Sequence, residues 1–549
     1  MKIFNVILLL ATILGSTLVF LPASASATTT IVCGSTITAS TTLNADIGPC
    51  SGNGLIIGHS SITLNCAGYT ITGVAGSSNG IYIPAGITGV KVENCIIPFG
   101  WPTSGFSSDI AVYGSGNVFT KNTVYGNDQN YGFAVDGSDN LFMANTAFGN
   151  GYGFGVYGSS NAFARNVVPL GNYAFYIFSG SRNVFTDNNA NSNYWGFYVY
   201  GSGNAFTGNT ANGNPNGYSY GGFVIYGSRN TFNMNTANND RNPGGAPDID
   251  NGFMIYGSSN VFSRNIANND STNGFWLYTA SGNSLIQNTA GGDSTYGFFL
   301  YMSSNSIFIG NTATGNIGFG IYLFDSSNNT LTRNAVSSNG ENGIELDSSS
   351  NNNHVTMNMA NSNSGNGINL DGGGVFGNII SKNVADDNEY NGFGMGSSSD
   401  NHFVGNIAIN DGGYGFFVYL SSNSTFSGNL ATGSNNAGFV LINSSYNTFA
   451  GNKASNSGWS GFELWGSSNA NIFIRNIATK NEPSGFYLSS PASGNKFKGN
   501  MADSNGDYGY IDYSTGSGTA GTANLYQNDE CSSNGLGGSV PTGLCLPQS

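Results

Sequence analysis

The stretch that decides the fold is GFGVYGSSNAFARN, residues 153–166, which returns as GFYVYGSGNAFTGN at 196–209 and GFMIYGSSNVFSRN at 252–265. Its closing asparagine repeats every 21 to 25 residues along most of the chain. A period of this length is typical of solenoid proteins, in which each unit stacks on the next. We refer to this asparagine as the marker; it falls at Asn122, Asn145, Asn166, Asn188, Asn209, Asn235, Asn265, Asn288, Asn311, Asn334, Asn358, Asn383, Asn406, Asn429, Asn452, Asn476 and Asn500.

Each unit consists of short alternating runs separated by Gly, Ser and Asn, which indicates strands joined by turns. In GFGVY, Phe154 and Val156 share one face, and Gly155 and Tyr157 share the other. One coil cannot enclose its own apolar face, so stacked coils must join these residues into internal columns. Two columns are expected inside: Phe133, Phe154, Phe197, Phe223, Phe253, Phe275, Phe298, Ile321, Ile344, Ile368, Phe393 and Phe416; and Phe119, Phe142, Phe163, Phe185, Phe206, Phe232 and Phe262.

The pattern predicts an all-β fold, a single-stranded right-handed parallel β-helix of about twenty coils and roughly 100 Å in length, at about 4.8 Å per coil. The marker asparagine is expected to turn a corner between strands, where its amide can bond the backbone of adjacent coils. Along the chain we expect a signal peptide (1–27), an N-terminal cap with the first coils (28–100), β-helix repeats (101–529) and a C-terminal cap or tail (530–549).

Charge excludes one class of partner. The 549 residues include only 15 Lys and Arg and have a formal net charge of −14. Nucleic-acid binding requires a basic footprint that neutralises phosphates, so no nucleic-acid partner is expected. A neutral or cationic partner, or a divalent cation, is electrostatically easier.

The first 27 residues are typical of a secretory signal peptide, with Lys2, an apolar run over 7–21 and small residues at 23–27. The alternative, a membrane anchor, is disfavoured because the run is short and its exit polar. No second apolar run of about 20 residues follows, so we expect a mature chain without a membrane span that is secreted or held at the cell surface.

The six cysteines lie near the two ends and fit an oxidising compartment. Metal ligation is the alternative, but no C-x-x-C or Cys/His pairing supports it. We expect the disulfides Cys33–Cys50, Cys66–Cys95 and Cys531–Cys545.

The units resemble the parallel β-helix repeats of the NosD-like and pectin-lyase-like superfamily. ITLNCAGYTITG from Ile62 resembles the opening coil of that family, and VKVENCIIPFG from Val90 resembles its next coil. The resemblance implies the fold over nearly all of the mature chain, but this fold hosts lyases, hydrolases, epimerases, binding proteins and fibres.

The catalytic signatures of that superfamily are absent: there are no paired Asp motifs with His-Gly and Arg-x-Lys, and no Asp-Pro-His motif. NosD-like proteins are linked to copper-site assembly, which favours patches rich in His and Met. Only His59, His354 and His402 are present, and we expect many coils to separate them, so copper is not expected and no cofactor is required.

Aromatic residues recur at the outward positions of the GFxφY strand. Such a ladder can simply stabilise the sheet through stacking between strands. A contiguous exposed aromatic strip can also mark a binding surface, and sugar rings stack on such faces. The residues expected to bind a polysaccharide or cell-surface glycan are Trp276, Phe299, Tyr301, Tyr322 and Phe324.

Beyond Phe324 the outward positions become acidic. GIELD places Glu345 and Asp347 outward, and GINLD places Asn369 and Asp371 outward one coil later. Crowded carboxylates raise a pKa, suit glycoside hydrolysis, or recruit Ca²⁺, here at Asp347 and Asp371. The alternative is that they only keep the face soluble. If catalysis exists, we expect Glu345, Asp347 and Asp371 to perform it.

Long insertions precede two of the GF strands, at 212–222 and 238–252. Asp240, Arg241, Asp248 and Asp250 are expected to stand over the same face as a cleft wall. Together these observations favour a secreted, non-catalytic glycan-binding or structural surface protein. The alternative is a polysaccharide lyase or glycoside hydrolase, although the scarcity of Lys and Arg disfavours the lyase.

Overall fold

The computed structural model describes residues 30–547, apart from 75, 100–104, 127–128, 214–220 and 240–249. Within these residues the elements are short parallel strands and one 3-10 turn, Thr519–Gly521. Consecutive coils pair strand on strand, which confirms the predicted right-handed parallel β-helix. The expected signal peptide lies outside the described residues, and the domain boundaries stay a prediction.

The first sheet carries the outward positions singled out in the sequence, and it contains 22 strands. They are Ser35–Ile37, Leu55–Ile57, Ser77–Ile83, Phe106–Val112, Tyr131–Val135, Tyr152–Val156, Tyr173–Ile177, Trp195–Val199, Gly221–Ile225, Asn251–Ile255, Phe275–Tyr278, Phe298–Tyr301, Ile321–Phe324, Ile344–Asp347, Ile368–Leu370, Phe393–Gly396, Phe416–Tyr419, Phe439–Ile442, Phe462–Trp465, Phe486–Leu488, Tyr508–Asp512 and Gly537–Val540.

Two further sheets complete each coil. The second sheet has 21 strands, from Thr41–Thr42 to Leu525–Gln527, almost all of three residues. The third sheet has 14 strands, from Thr236–Asn238 to Leu546–Pro547. Before it, Ile96–Ile97, Thr123–Tyr125 and Thr146–Phe148 form the same ladder, which continues to Thr236 through single bridges. Each coil is therefore a triangle of short strands.

The core is built from columns of identical rings. Phe223 is fully buried and stacks on Phe197 and Phe253 with ring centroids 4.7 Å apart. The second sheet contributes Phe232, whose ring meets Phe223 edge-on at 6.1 Å. The third sheet contributes small residues such as Ala237. Both predicted inward columns are confirmed as buried.

The marker asparagines form a continuous buried ladder at the corner between the second and third sheets. The backbone N–H and the side-chain Nδ2 of Asn145 both donate to Oδ1 of Asn166, at 3.0 Å. Nδ2 of Asn145 also donates to the carbonyl of Phe119, at 2.9 Å, in the preceding coil. One side chain thus connects three coils, as the sequence predicted for a corner residue.

Two more polar ladders flank the first. One begins at Asn117 and Asn140, before the second-sheet strands. The other includes Asn316 and Asn339, after the third-sheet strands. Glycine is required where the chain leaves a first-sheet strand, since a Cβ at Gly158 would lie 2.0 Å from the carbonyl oxygen of Gly137.

The ends are closed by disulfides in the predicted pairs: Cys33–Cys50, Cys66–Cys95 and Cys531–Cys545, with no free cysteine among the described residues. The last paired strands, Gly537–Val540 and Leu546–Pro547, lie inside the segment predicted as the C-terminal cap. Within the described chain, no helix is long and apolar enough to span a membrane.

Replacing Phe223 by Ala is expected to lower the free energy of unfolding by about 3–5 kcal/mol, because the column cannot close over the lost ring. Urea unfolding followed by circular dichroism measures the change. Phe376→Ala, at a side chain that is 45% exposed, is the control and should change it little. An unchanged profile for Phe223→Ala would contradict the inward assignment.

Asp411 replaces an asparagine in the third-sheet ladder. Its Oδ1 accepts from the backbone N–H and Nδ2 of Asn388, at 3.1 and 3.0 Å, whereas its buried Oδ2 has no partner. Burial raises the pKa of Asp411 to about 7, against the Asn388 bonds that lower it, and the charges of Asp386 and Asp387 raise it further. Below about pH 7 a protonated carboxyl therefore takes the place of the amide.

Because the folded chain holds this proton more tightly than the unfolded chain, stability should fall as pH rises from about 4 through 7. Asp411→Asn should remove that fall and raise the free energy of unfolding at pH 8 by roughly 1–4 kcal/mol, with little difference at pH 4. Thermal unfolding across this pH range tests it, with the exposed Asp400→Asn as control. Parallel pH profiles for wild type and Asp411→Asn would refute the amide-mimic assignment.

Candidate functional site

The outward face of the first sheet presents three columns, named by their position in the strand. The leading column, just before or at the strand start, includes Tyr131, Tyr152, Tyr173, Trp195, Tyr296 and Phe319. The middle column includes Tyr176, Tyr198, Trp276, Phe299, Tyr322 and Glu345. The trailing column includes Tyr157, Phe178, Tyr200, Tyr226, Tyr256, Tyr278, Tyr301, Phe324 and Asp347.

The five aromatic residues expected to bind a glycan do come together. In the middle column Trp276 stacks on Phe299 at 6.0 Å, and Phe299 stacks on Tyr322 at 5.1 Å. In the trailing column Tyr301 stacks on Phe324 at 5.5 Å. All but Tyr322 are partly exposed. The rings meet because parallel strands in register bring equivalent outward positions into contact.

The leading column was missed in the sequence. Tyr152 lies between Tyr131 and Tyr173, with stacked centroids at 4.7 and 5.1 Å, and Trp195 follows Tyr173 at 4.2 Å. The first-sheet strands of this region start two residues before the recurring inward Phe, so these rings belong to the sheet and not to a loop. The Tyr-Gly-Phe and Trp-Gly-Phe triplets are the signal that marks them.

At the acidic end, a tyrosine contacts a carboxylate across neighbouring strands. The hydroxyl of Tyr322 donates to Oδ2 of Asp347 at 2.9 Å, diagonally between the middle and trailing columns. The rings of Tyr296 and Phe319 pack on Tyr322 at 5.1 and 4.8 Å. Burial and the acceptor Asp347 raise the pKa of Tyr322, so its hydroxyl remains a proton donor at neutral pH.

Glu345 is not the surface carboxylate that the sequence suggested. Only 4% of it is exposed, and Nδ2 of Asn342 and of Asn369 donate to its two oxygens at 2.6 and 3.3 Å. Burial raises the pKa of Glu345 well above its ordinary value; the two amides oppose this, and the charges of Asp347 and Asp371 add to it. Glu345 is buried because Asn342, in the leading column of the same coil, lies against its carboxyl group.

Asp347 and Asp371 remain accessible, Asp347 partly and Asp371 fully. Asp371 follows the strand Ile368–Leu370, and the N–H of Gly372 donates to its carboxylate at 2.7 Å. In the part of the chain described, no group of three His, Cys, Asp or Glu side chains is close enough to hold a metal ion. The expected Ca²⁺ site at these two residues stays a prediction.

Two sequence expectations about this face change. Asp240, Arg241 and Asp248 of the expected cleft wall lie outside the described residues, while Asp250 is fully buried at a corner instead of standing over the face. Outward aromatic residues also do not end at Phe324, since the columns resume with Phe417, Tyr419, Trp465 and Tyr487. The change from aromatic to acidic outward residues is therefore confined to the few coils around Glu345 and Asp371.

The described strands of this face carry negative but no positive side chains. None of the 22 first-sheet strands contains Lys or Arg. The basic residues lie mostly at the corners beside the second sheet, in left-handed backbone conformations: Lys121, Arg165, Arg182, Arg229, Arg264, Arg333, Lys382 and Arg475. The only ion pair in the described chain, Lys91–Glu93, is also on the second sheet.

Comparison with known proteins identifies family and fold. The sequence model described as periplasmic copper-binding protein (NosD) matches residues 23–238 and 358–484, and the model described as right handed beta helix region matches 221–378. No curated protein matches the sequence significantly.

Solved structures resemble the chain only weakly. The catalytic domain of Agl-KA is 12% identical over 65% of this chain and 62% of its own, with a TM-score of 0.37. Pectate lyase Pel9A is 18% identical over 50% and 71%, with a TM-score of 0.31. A mutant of the periplasmic alginate epimerase AlgG is 12% identical over 66% and 76%, with a TM-score of 0.31. Nothing about function follows from similarities of this size.

Removing the Tyr322 hydroxyl tests the contact at the acidic end. Tyr322→Phe should lower the free energy of unfolding by about 1–2 kcal/mol, because a largely buried bond to a charged acceptor is lost. Tyr301→Phe is the matched control, since the Tyr301 hydroxyl makes no hydrogen bond in the described chain. In a double-mutant cycle with Asp347→Asn the losses should not add; additive losses would show that the two side chains do not interact.

Proposed function

The chain belongs to the NosD family, and from that premise we propose that it is an extracytoplasmic β-helix that binds a glycan on the first-sheet face without cleaving it. The observation that carries the proposal is the junction of partly exposed stacked rings, from Trp276 to Phe324, with the accessible carboxylates of Asp347 and Asp371. Three disulfides support a location outside the reducing cytoplasm.

The chemistry of this junction suits sugars. The partly exposed rings provide an apolar surface for the C–H groups of pyranoses, and the carboxylates at the end of the strip provide acceptors for hydroxyl groups. Rings held by stacking in both columns lose little side-chain freedom when a ligand binds, which lowers the entropic cost of binding. The absence of Lys and Arg from the described first-sheet strands favours a neutral glycan over a uronate polymer, whose carboxylates would meet only like charges.

The family description includes copper, but the described residues do not fit that metal. Copper sites use clustered imidazole, thiolate or thioether ligands. All six cysteines form disulfides. His354 and His402 lie only two coils apart on the second sheet, closer than the sequence suggested, but Ile379 lies between them. His402 is bonded to the hydroxyl of Thr425 at 2.7 Å. The proposal therefore includes no copper.

A second candidate, glycoside hydrolysis, is supported by one observation. Burial raises the pKa of Glu345 well above its ordinary value, and Asp347 lies two residues away on the same strand face. Two neighbouring carboxyl groups in different environments are what acid and base roles in a hydrolase require. The burial of Glu345 under Asn342 opposes access by a substrate. The lyase alternative lacks the cations that would bind uronate carboxylates.

Binding is tested by affinity electrophoresis and calorimetry against neutral polysaccharides (a β-glucan, a mannan and a xylan) and two polyuronates, with product release scored separately. We expect retardation by a neutral polymer and no release of sugars. Trp276→Ala and Phe299→Ala should weaken binding by about 1–3 kcal/mol, if sugar stacking resembles base stacking on aromatic side chains.

Tyr446→Ala removes a ring that is 67% exposed but lies outside the first sheet, and it should leave binding unchanged. Asp347→Asn with Asp371→Asn should abolish any Ca²⁺ dependence seen on chelation, and any release of sugars. Wild-type affinity in the Trp276 and Phe299 variants would refute this site, and the aromatic columns would then be purely structural.

A further inference from the structure

The pattern at Glu345 occurs a second time. GIELD at 343–347 has a counterpart in GFELW at 461–465, which places Glu463 in the same middle column five coils further along, in register with Val440 and Tyr487. Here the surroundings form a distinct cavity of about 480 Å³ on the outward face. Four coils, or roughly 19 Å, separate Glu463 from the coil of Asp371, where the site proposed above ends, so this cavity is separate from that site.

Three aromatic side chains and a proline wall the cavity. Trp465 ends the strand Phe462–Trp465, and Tyr487 lies beside it in the next coil with centroids 5.1 Å apart at 37°. Trp459 comes from the turn before the strand and is 51% exposed, and Pro483 closes the cavity from the turn of the next coil. The rings of Trp465 and Tyr487 are inclined to each other, and together with Trp459 they line one cavity.

The floor is a carboxylate. Glu463 is 2% exposed and lines the cavity. Nε1 of Trp465 donates to its Oε2 at 2.9 Å, and Ser460 lines the cavity beside it. Glu482, which is exposed, adds a second carboxylate at the rim. The hydrogen bond from Trp465 fixes the orientation of the Glu463 carboxyl group, and the indole N–H is no longer available to a ligand.

No protein cation neutralises these carboxylates. Neither forms an ion pair in the described chain, where Lys91–Glu93 is the only one. Lys480, near Glu482 in sequence, belongs to the exposed turn after a third-sheet strand. A buried carboxylate without a counter-ion is unfavourable, and without one burial raises the pKa of Glu463. A positively charged group of a ligand in the cavity would supply the missing counter-ion and offset the unfavourable burial of the carboxylate.

We propose that this cavity, lined by Trp459, Trp465, Tyr487, Glu463 and Glu482, binds a ligand through an ammonium group. Ring faces attract cations, and inclined aromatic walls around a carboxylate are the arrangement that recognises ammonium groups. A neutral sugar would leave the carboxylates without compensation and would find the Trp465 donor already occupied. Two sources share this chemistry, an alkylated ammonium head group and the protonated amine of an amino sugar. The proposal does not rest on glycan binding at the aromatic strip.

Calorimetry and tryptophan fluorescence with the full mature chain test the charge requirement with matched pairs. Choline is compared with its neutral isostere 3,3-dimethylbutanol, and glucosamine with N-acetylglucosamine. Binding of choline but not of dimethylbutanol supports the proposal with an alkylammonium source. Binding of glucosamine but not of its acetylated form supports it with an amino-sugar source. Equal binding within both pairs, or no binding of either cation at millimolar concentration, overturns it.

Variants locate the binding. Glu463→Gln and Trp465→Ala should each reduce affinity by roughly tenfold or more. Trp459→Ala and Glu482→Gln change exposed positions that the core does not need, so they test the cavity even if the buried variants fold poorly, and each should reduce affinity measurably. Tyr446→Ala, which removes an exposed ring outside the first sheet and away from the cavity, is the control and should bind the cation as wild type does. Unchanged affinity in Trp459→Ala and Glu463→Gln would overturn the assignment.

Discussion

The side-chain amide at each corner is the interaction on which the rest of this molecule depends. A tight turn in a parallel coil leaves backbone N–H and C=O groups that no strand partner satisfies, and burying them unpaired is costly. An asparagine such as Asn145 accepts from the coil before it and donates to backbone and side-chain oxygens of its neighbours. The ladder thereby fixes the register of every strand, and the register in turn places like residue over like residue on both faces of the first sheet.

The sequence predicts the fold well because both of its periodicities are explicit. The alternation in GFxφY separates inward Phe223 from outward Val224 and Tyr226, and the marker asparagine sets the coil length. The sequence does not show which acidic side chains are buried in the polar ladders. Asp411 looks like one more surface acid, but the position it occupies is an amide position, so burial and not sequence determines that it keeps its proton.

The candidate site was only partly predictable for a similar reason. The aromatic strip follows from counting outward positions along single strands, and its members do meet. The burial of Glu345 depends on Asn342, two positions before the strand's inward Ile344, and on the cross-strand amide of Asn369. The cavity at Glu463 was not predicted although GFELW repeats the spacing of GIELD, because two of its walls, Trp459 and Pro483, come from turns, where no periodicity indicates direction.

Stacking in strict register gives the aromatic strip a property that a single pocket lacks. From Trp276 through Phe299 to Tyr322, each step of one coil repeats a ring, with centroids 6.0 and 5.1 Å apart and planes within 13° of parallel. A linear ligand with a comparable repeat can therefore occupy several positions of almost equal energy and move between them without leaving the surface. The carboxylates of Asp347 and Asp371 break this translational equivalence at one end, so such a ligand would diffuse in one dimension along the rod and stop where the rings give way to charge.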